Sequence, residues 1–234
     1  MSGTNLVLVP GLLCTAELYR DQITGLADIA EASVADHSQG ETMMEIARAI
    51  LAKAPPTFAL CGLSMGGYVA FEIMRQAPDR VERLALLDTA PGADTPEQKK
   101  GREARIARAN KGELLDIALE MWPLFVHPTR VGDEALKARF LQMARDTGPE
   151  RFARQQRAIM SRPDSTPFLS AISQQTLVVV GDADRVTPPE QAQAIADGVS
   201  FSELSTIAVC GHLSTMERPE AVNAALRRWL TPGV

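Results

Sequence analysis

The sequence predicts an α/β fold, a mostly parallel sheet of about six strands flanked by helices. Two observations carry this. Short apolar runs of strand length alternate with amphipathic stretches at helical spacing, and such alternation implies parallel strands joined by crossover helices. In addition, one long interval, 94–165, breaks the alternation with a helix-rich composition, as an insertion into such a fold would.

In chain order, "NLVLVP" (5–10) is a short apolar run closed by Pro-Gly, a buried strand. Leu18, Ile23 and Leu26 among polar residues predict a helix over 15–27, and "EASVAD" (31–36) the second strand. Met44, Ala47, Ile50 and Leu51 are spaced for a helix over 41–54, which Pro55-Pro56 stops. "TFALCGL" (57–63) is a continuous apolar run of strand length. "MGGYVAFEIMRQAP" (65–78) is helical up to Pro78, and "VERLALLD" (81–88) is the fourth strand. The alternation resumes with a strand at 175–182, a helix at 188–198, a weaker strand at 200–207 and a last helix at 219–230, where Pro219 suits the first turn.

The interval 94–165 is rich in Ala, Arg, Glu, Leu and Met. It reads as several helices with breaks near Gly112, Pro123, Pro128 and Gly148-Pro149. Its net charge of +3 contrasts with −8 for the remainder. The expected organisation is a core of residues 1–93 and 166–234 with a helical insertion at 94–165.

The formal charge of −5 argues against a nucleic-acid protein, which usually carries a basic stripe. Three cysteines, Cys14, Cys61 and Cys210, form neither a disulfide framework nor a zinc spacing. With no basic-then-apolar leader in "MSGTNLVLVPG" and no apolar run of membrane-spanning length, a cytoplasmic protein is expected. No phosphate-binding glycine loop or metal cluster is evident, so no cofactor and no metal are expected. The expected partners are a small-molecule substrate and, at most, a second copy of the chain.

Gly62-Leu63-Ser64-Met65-Gly66 fits G-x-S-x-G between an apolar strand and an amphipathic helix. That turn is too tight for side chains at the glycines, and it exposes the serine Oγ as a nucleophile. A serine needs a base, and the chain has only His37, His127 and His212. His212 follows the last predicted strand, at the same end of a parallel sheet as Ser64. His37 and His127 read as ordinary residues, although His127 lies in the insertion where substrate could reach it. A base in turn needs a carboxylate to fix its tautomer. "LVVVGDADRVTPP" supplies Asp182 and Asp184 just past a strand, with Asp88 as a fallback. The two backbone donors for an oxyanion would be the N–H of Met65 and, after Gly11 in "VPGLLC", the N–H of Leu12.

Taken together, "VPGLLC", "GLSMGG", "GDADRVTPP" and "GHLSTMERPEAV" resemble the oxyanion loop, nucleophile elbow, acid loop and histidine loop of the α/β-hydrolase superfamily. The resemblance covers nearly the whole chain. It implies Ser64, Asp184 and His212 as the catalytic triad, because the family's acid lies three residues after the glycine at 181. It also implies that 94–165 is the helical cap that covers such a site. Two departures are visible. Pro10 stands where many members carry a histidine, and the first strand is the oxyanion-loop strand itself, without a preceding hairpin, so a trimmed six-stranded core is expected.

The expected activity is hydrolysis of small carboxylic esters through an acyl-enzyme. The alternatives are triad-dependent lyase or C–C bond-cleaving chemistry, which some relatives perform, one of them in menaquinone biosynthesis, or a receptor-like member with slow turnover. Trp122, Phe125, His127 and Leu213 are candidate substrate-pocket residues. The basic run "KKGREARIARANK" (99–111) reads first as a solvated helix face and second as a pocket rim attracting anionic acyl substrates. The three cysteines read as small buried apolar side chains with no catalytic role.

Overall fold

A computed structural model describes residues 3–231. Six parallel strands form one sheet: β1 (Thr4–Val9), β2 (Ala30–Val34), β3 (Phe58–Leu63), β4 (Val81–Leu87), β5 (Gln175–Gly181) and β6 (Ser202–Ile207), in the spatial order β2-β1-β3-β4-β5-β6. Six strands are what the apolar runs predict. The central β3 is buried along its whole length, and β4 and β5 are buried over most of theirs, as expected where helices cover both faces. The edge strand β2 alternates in burial and β6 is mostly half-buried or exposed, so both carry a weaker apolar signal than the central strands.

The strand order reverses between β1 and β3. Chain leaving β1 goes to one edge of the sheet and chain leaving β3 goes to the other. Ligands in open α/β sheets bind beyond the carboxyl ends of the strands at such a switch point. The loop after β1 and the turn after β3 carry Leu12 and Ser64.

The helices follow the sequence with local differences. The single helix expected over 15–27 is a 3-10 turn (Ala16–Tyr19) running into α1 (Arg20–Gly25). Helix α2 (Met43–Leu51) starts at Thr42, whose hydroxyl accepts from Glu45 N while Glu45 bonds back to the Thr42 N–H, a capping box. Helix α3 is Met65–Gln76. Between β4 and β5 run α4 (Pro96–Ala109), α5 (Leu114–Phe125) and α6 (Glu134–Ser161), then a 3-10 turn at Thr166–Ala171. The sheet ends with α7 (Pro189–Gly198), α8 (Ser214–Glu217) and α9 (Pro219–Leu230); the short α8 was not anticipated.

Of the four expected breaks in the insertion, Pro123 is the exception: α5 runs through it to Phe125. The proline leaves the Leu119 carbonyl, four residues back, without its helical donor, on a face where Leu119 and Leu124 are exposed and water can reach it. Gly148 does break α6, with φ 70° and ψ 166°, and Pro149 opens its second half. None of the helices among the described residues is long and apolar enough to cross a membrane.

Candidate active site

The site is assembled from four loops at the carboxyl end of the sheet. Ser64 sits between β3 and α3 at φ 54°, ψ −113°, a region a non-glycine residue occupies only under constraint. The constraint is visible. Ser64 N donates to Leu87 O at 2.9 Å, and its carbonyl accepts from Thr89 Oγ1 at 2.8 Å and Gly67 N at 2.9 Å. The flanking glycines are sterically required. A Cβ on Gly62 would lie 2.2 Å from Gly66 O, and one on Gly66 only 1.9 Å from Val9 O.

His212 Nε2 lies 2.9 Å from Ser64 Oγ, and His212 Nδ1 lies 2.8 Å from Asp184 Oδ2. A carboxylate can only accept, so Nδ1 carries the imidazole proton and Nε2 is left to accept from the serine hydroxyl. Asp184 is held in turn: its Oδ1 accepts from Val186 N (2.8 Å) and Thr187 N (3.0 Å), and its Oδ2 from Thr187 Oγ1 (2.8 Å). Burial opposes its charge, but the His212 imidazole and these N–H groups hold the carboxyl below its ordinary value. For His212, burial opposes the imidazolium, and the Asp184 carboxylate, with Asp88 and Glu217 adding to it, outweighs burial and raises the group above its ordinary value.

The other acids have different work. Asp182 accepts from Val209 N and Cys210 N and shapes the loop that leads into His212. Asp88, the fallback acid, does not reach His212. It is fully buried, accepts from Gly181 N at 3.0 Å, and hydrogen-bonds Ser214 Oγ. Burial, with Asp184 nearby, pushes its carboxyl well above the ordinary value.

Leu12 and Met65 lie where the sequence places them, after β1 and at the start of α3. Among the described residues neither N–H donates to a protein acceptor. The neighbours of Leu12 are fixed from outside the loop. Leu13, at φ 61°, donates its N–H to Gln155 Oε1 at 3.2 Å. Gln155 Nε2 lies 3.0 Å from His37 Nε2, which is 3.3 Å from Gly11 O. Sequence reasoning dismissed His37 and missed Gln155, because the two are 118 positions apart and nothing local pairs them.

The histidine loop is likewise tied to the insertion. His212 N and Leu213 N both donate to Phe125 O at 3.0 Å. Glu217, on α8, accepts from Gly211 N and His127 N at 2.8 Å each.

A cavity of about 170 Å³ opens above Ser64. Phe125 and Leu213 line it, as expected. Trp122 and His127 do not. Trp122 is buried, stacked on Phe140 at 5.9 Å, with its Nε1 donating to Val131 O. An indole that large is more useful joining α5 to α6 than facing solvent. His127 Nδ1 bonds Thr129 and caps a 3-10 turn at Pro128–Arg130. Met121, Ile159 and Arg105 line the cavity instead. All three cysteines are buried and free, and burial pushes the Cys14 and Cys61 thiols up to about 12. They are un-ionised at neutral pH and unsuited to nucleophilic attack.

Among known proteins, the profile of the alpha/beta hydrolase family matches residues 6–225. A 2-hydroxy-6-oxononadienedioate/2-hydroxy-6-oxononatrienedioate hydrolase of Escherichia coli is 29% identical over 177 residues, 73% of this chain. The match spans only 61% of that curated relative's length. A thermophilic esterase from Thermogutta terrifontis, solved with malate bound, superposes with TM-score 0.90 at 32% identity, covering 98% of this chain and 90% of its own. The enol-lactonase from Burkholderia xenovorans LB400 shares the fold at TM-score 0.88 and 21% identity, covering 98% and 92%. The family profile spans the switch point, the serine turn and both loops that meet at His212, and the chain belongs to the alpha/beta hydrolase family.

Proposed function

We propose that this chain is a serine hydrolase of small carboxylic esters, with Ser64, His212 and Asp184 as its triad. The observation that carries the reading is the continuous chain Ser64 Oγ–His212 Nε2, His212 Nδ1–Asp184 Oδ2, at 2.9 and 2.8 Å. The likeness to an esterase at 32% identity supports the ester class. A cavity of about 170 Å³ suits a small group; an apolar cavity of about 150 Å³ holds a benzene-sized guest.

In this reading Ser64 Oγ attacks the acyl carbon as His212 Nε2 takes its proton. The carbonyl oxygen becomes an oxyanion and receives the free N–H groups of Leu12 and Met65, at the positive end of α3. The intermediate collapses, and His212 returns the proton to the departing alcohol. Water then adds to the acyl-enzyme, giving its proton to His212. The second intermediate releases the acid and restores the Ser64 hydroxyl. Asp184 stays ionised throughout and stabilises the imidazolium. The helices of 94–165 serve as the cap, contributing Phe125 and Met121 to the pocket wall.

The test is intact-mass labelling with a fluorophosphonate, followed by an ester panel. One adduct on wild type, absent in Ser64→Ala, with turnover of short esters, is the expected result. An unlabelled, folded wild type removes the proposal. A second reading, hydrolysis of a C–C bond in a 2-hydroxy-6-oxo dienoate, is favoured by the Escherichia coli relative. Faster bleaching of such a chromophore than turnover of any ester would select it.

A further inference from the structure

The cavity above Ser64 is charged on one side only. Three guanidinium groups line it, those of Arg102, Arg105 and Arg185, and no carboxylate does. Two of the three are already engaged. Arg102 grips Asp94 through two hydrogen bonds and also bonds Gln156. Arg185 donates to the Pro123 carbonyl. Arg105 has neither an ion pair nor a hydrogen bond among the described residues, although it is half-buried.

Among the acids near Arg105, Glu97 on the wall of the wider cleft makes no ion pair with it, and the others are bonded to different arginines. Asp94 is shared by Arg102 and Arg162, the latter at 2.7 Å. Glu120 and Glu113 both bind Arg108. A half-buried cation with no ion pair of its own has given up part of its hydration for little in return. Burial and the neighbouring Arg102 disfavour its charged form, and Glu120, already bonded to Arg108, offsets this only in part. An arrangement of this kind is completed by an anion brought from outside.

The position of Arg105 says where that anion would sit. Arg105, Arg102, Tyr68 and Val186 line both the inner cavity and a wider outer cleft of about 760 Å³. Arg105 therefore stands at the junction between the two. A substrate whose scissile carbonyl reaches Ser64 and whose far end carries a charge would leave that charge at the junction.

We infer that the enzyme acts on esters that carry a carboxylate some bonds away from the scissile carbonyl, and that Arg105 receives it. The natural substrate class is then half-esters, or lactones, of short dicarboxylic acids. Arg105 supplies a planar fork that a carboxylate matches in two parallel hydrogen bonds. Arg102, fixed by Asp94, adds charge without moving. The inference rests on the hydrolase reading above and names its substrate.

The test compares monomethyl succinate, glutarate and adipate with methyl butanoate, pentanoate and hexanoate, which replace the free carboxyl by a methyl group. At the best-fitting length, wild type should favour the half-ester by about ten- to a hundredfold in kcat/KM. Arg105→Gln should remove most of that preference, and Arg105→Lys should retain part of it. Lys100→Gln, which deletes an exposed charge on the same helix, should leave the ratio within about twofold. Calorimetry of free glutarate and adipate with the Ser64→Ala protein gives an independent reading, with binding expected to weaken in Ser64→Ala/Arg105→Gln. Equal ratios in wild type and Arg105→Gln at every length, with no Arg105-dependent binding, would overturn the inference. Arg105-dependent binding without turnover of any ester would uphold anion recognition and reject ester hydrolysis. Ester turnover without such binding or preference would do the reverse.

Discussion

Asp88 and Asp184 lie close enough for the charge of one to disfavour ionisation of the other, yet only Asp184 touches His212. Asp88 faces Gly181 N and Ser214 Oγ instead. The two carboxyls are driven apart in pKa. Asp184, with an imidazole and two backbone N–H groups, is held ionised. Burial and the Asp184 charge push the Asp88 carboxyl well above its ordinary value.

In the proposed mechanism the Asp184–His212 pair sets the acid limb of the pH profile. His212 must be neutral to accept the Ser64 proton, and its pKa is raised above the ordinary value of 6.5. Activity should therefore fall on acidification through a pKa above that value. Asp184→Asn should lower kcat by about 10⁴-fold and move the residual limb downward, since burial is then opposed only by Asp88 and Glu217. An acid limb unmoved by this substitution would show that another group controls it.

Asp88→Asn should be tolerated. The folded pKa lies above the ordinary 3.8, so over the pH range between them the unfolded chain loses a proton that the folded chain keeps. That difference subtracts stability as pH rises. An amide accepts from Gly181 N and donates to Ser214 Oγ without carrying this penalty. In urea denaturation the variant should match or exceed wild type, with a larger advantage near about pH 8 than near about pH 5. A loss of stability that grows with pH would contradict the raised Asp88 pKa.

Gln155 fixes the loop after β1 through Leu13, one residue from Leu12, whose N–H the proposed mechanism uses as an oxyanion donor. Gln155→Ala should lower kcat by up to about a hundredfold while leaving KM nearly unchanged, because the donor is misplaced and not removed. Fluorophosphonate labelling should slow in proportion. A change confined to KM or to thermal stability would reduce Gln155 to a packing role.

Glu217 accepts two N–H groups, from Gly211 and His127, and so fastens the histidine loop to the end of α5. Glu217→Gln leaves one of these donors facing an amide NH₂. The expected cost is about 1–3 kcal/mol, read as a lower urea midpoint with an unchanged slope. An unaffected midpoint would mean that the loop is held by the Phe125 carbonyl contacts alone.

How much was legible in advance depended on how local the signal was. Each strand run declares itself within eight residues, and parallel pairing follows from the helical spacing between runs. Ser64 was legible because the strained turn demands Gly62 and Gly66 at fixed offsets. Asp184 was separable from Asp182 by resemblance, and the structure supplies the physical reason. Asp182 is taken up by Val209 N and Cys210 N, while Asp184 faces the imidazole. Pro123 did not end α5, because the carbonyl it leaves unpaired lies on an exposed face. Trp122 and His127 lie off the cavity wall, since composition does not reveal which side of α5 faces it.

By itself, then, the sequence determined the alternation of elements, the order of the motifs and the residue that must sit on the tight turn. These depend on side-chain periodicity and backbone sterics over a few neighbouring residues. The tertiary structure decided which side chains share a space. It brought Gln155 to the loop after β1, gave Asp94 to Arg102 and Arg162, and left Arg105 lining the cavity with no hydrogen bond or ion pair among the described residues. Pairings of that kind join positions scores of residues apart, and they are set by the three-dimensional distribution of charge and volume, which no short window of sequence contains.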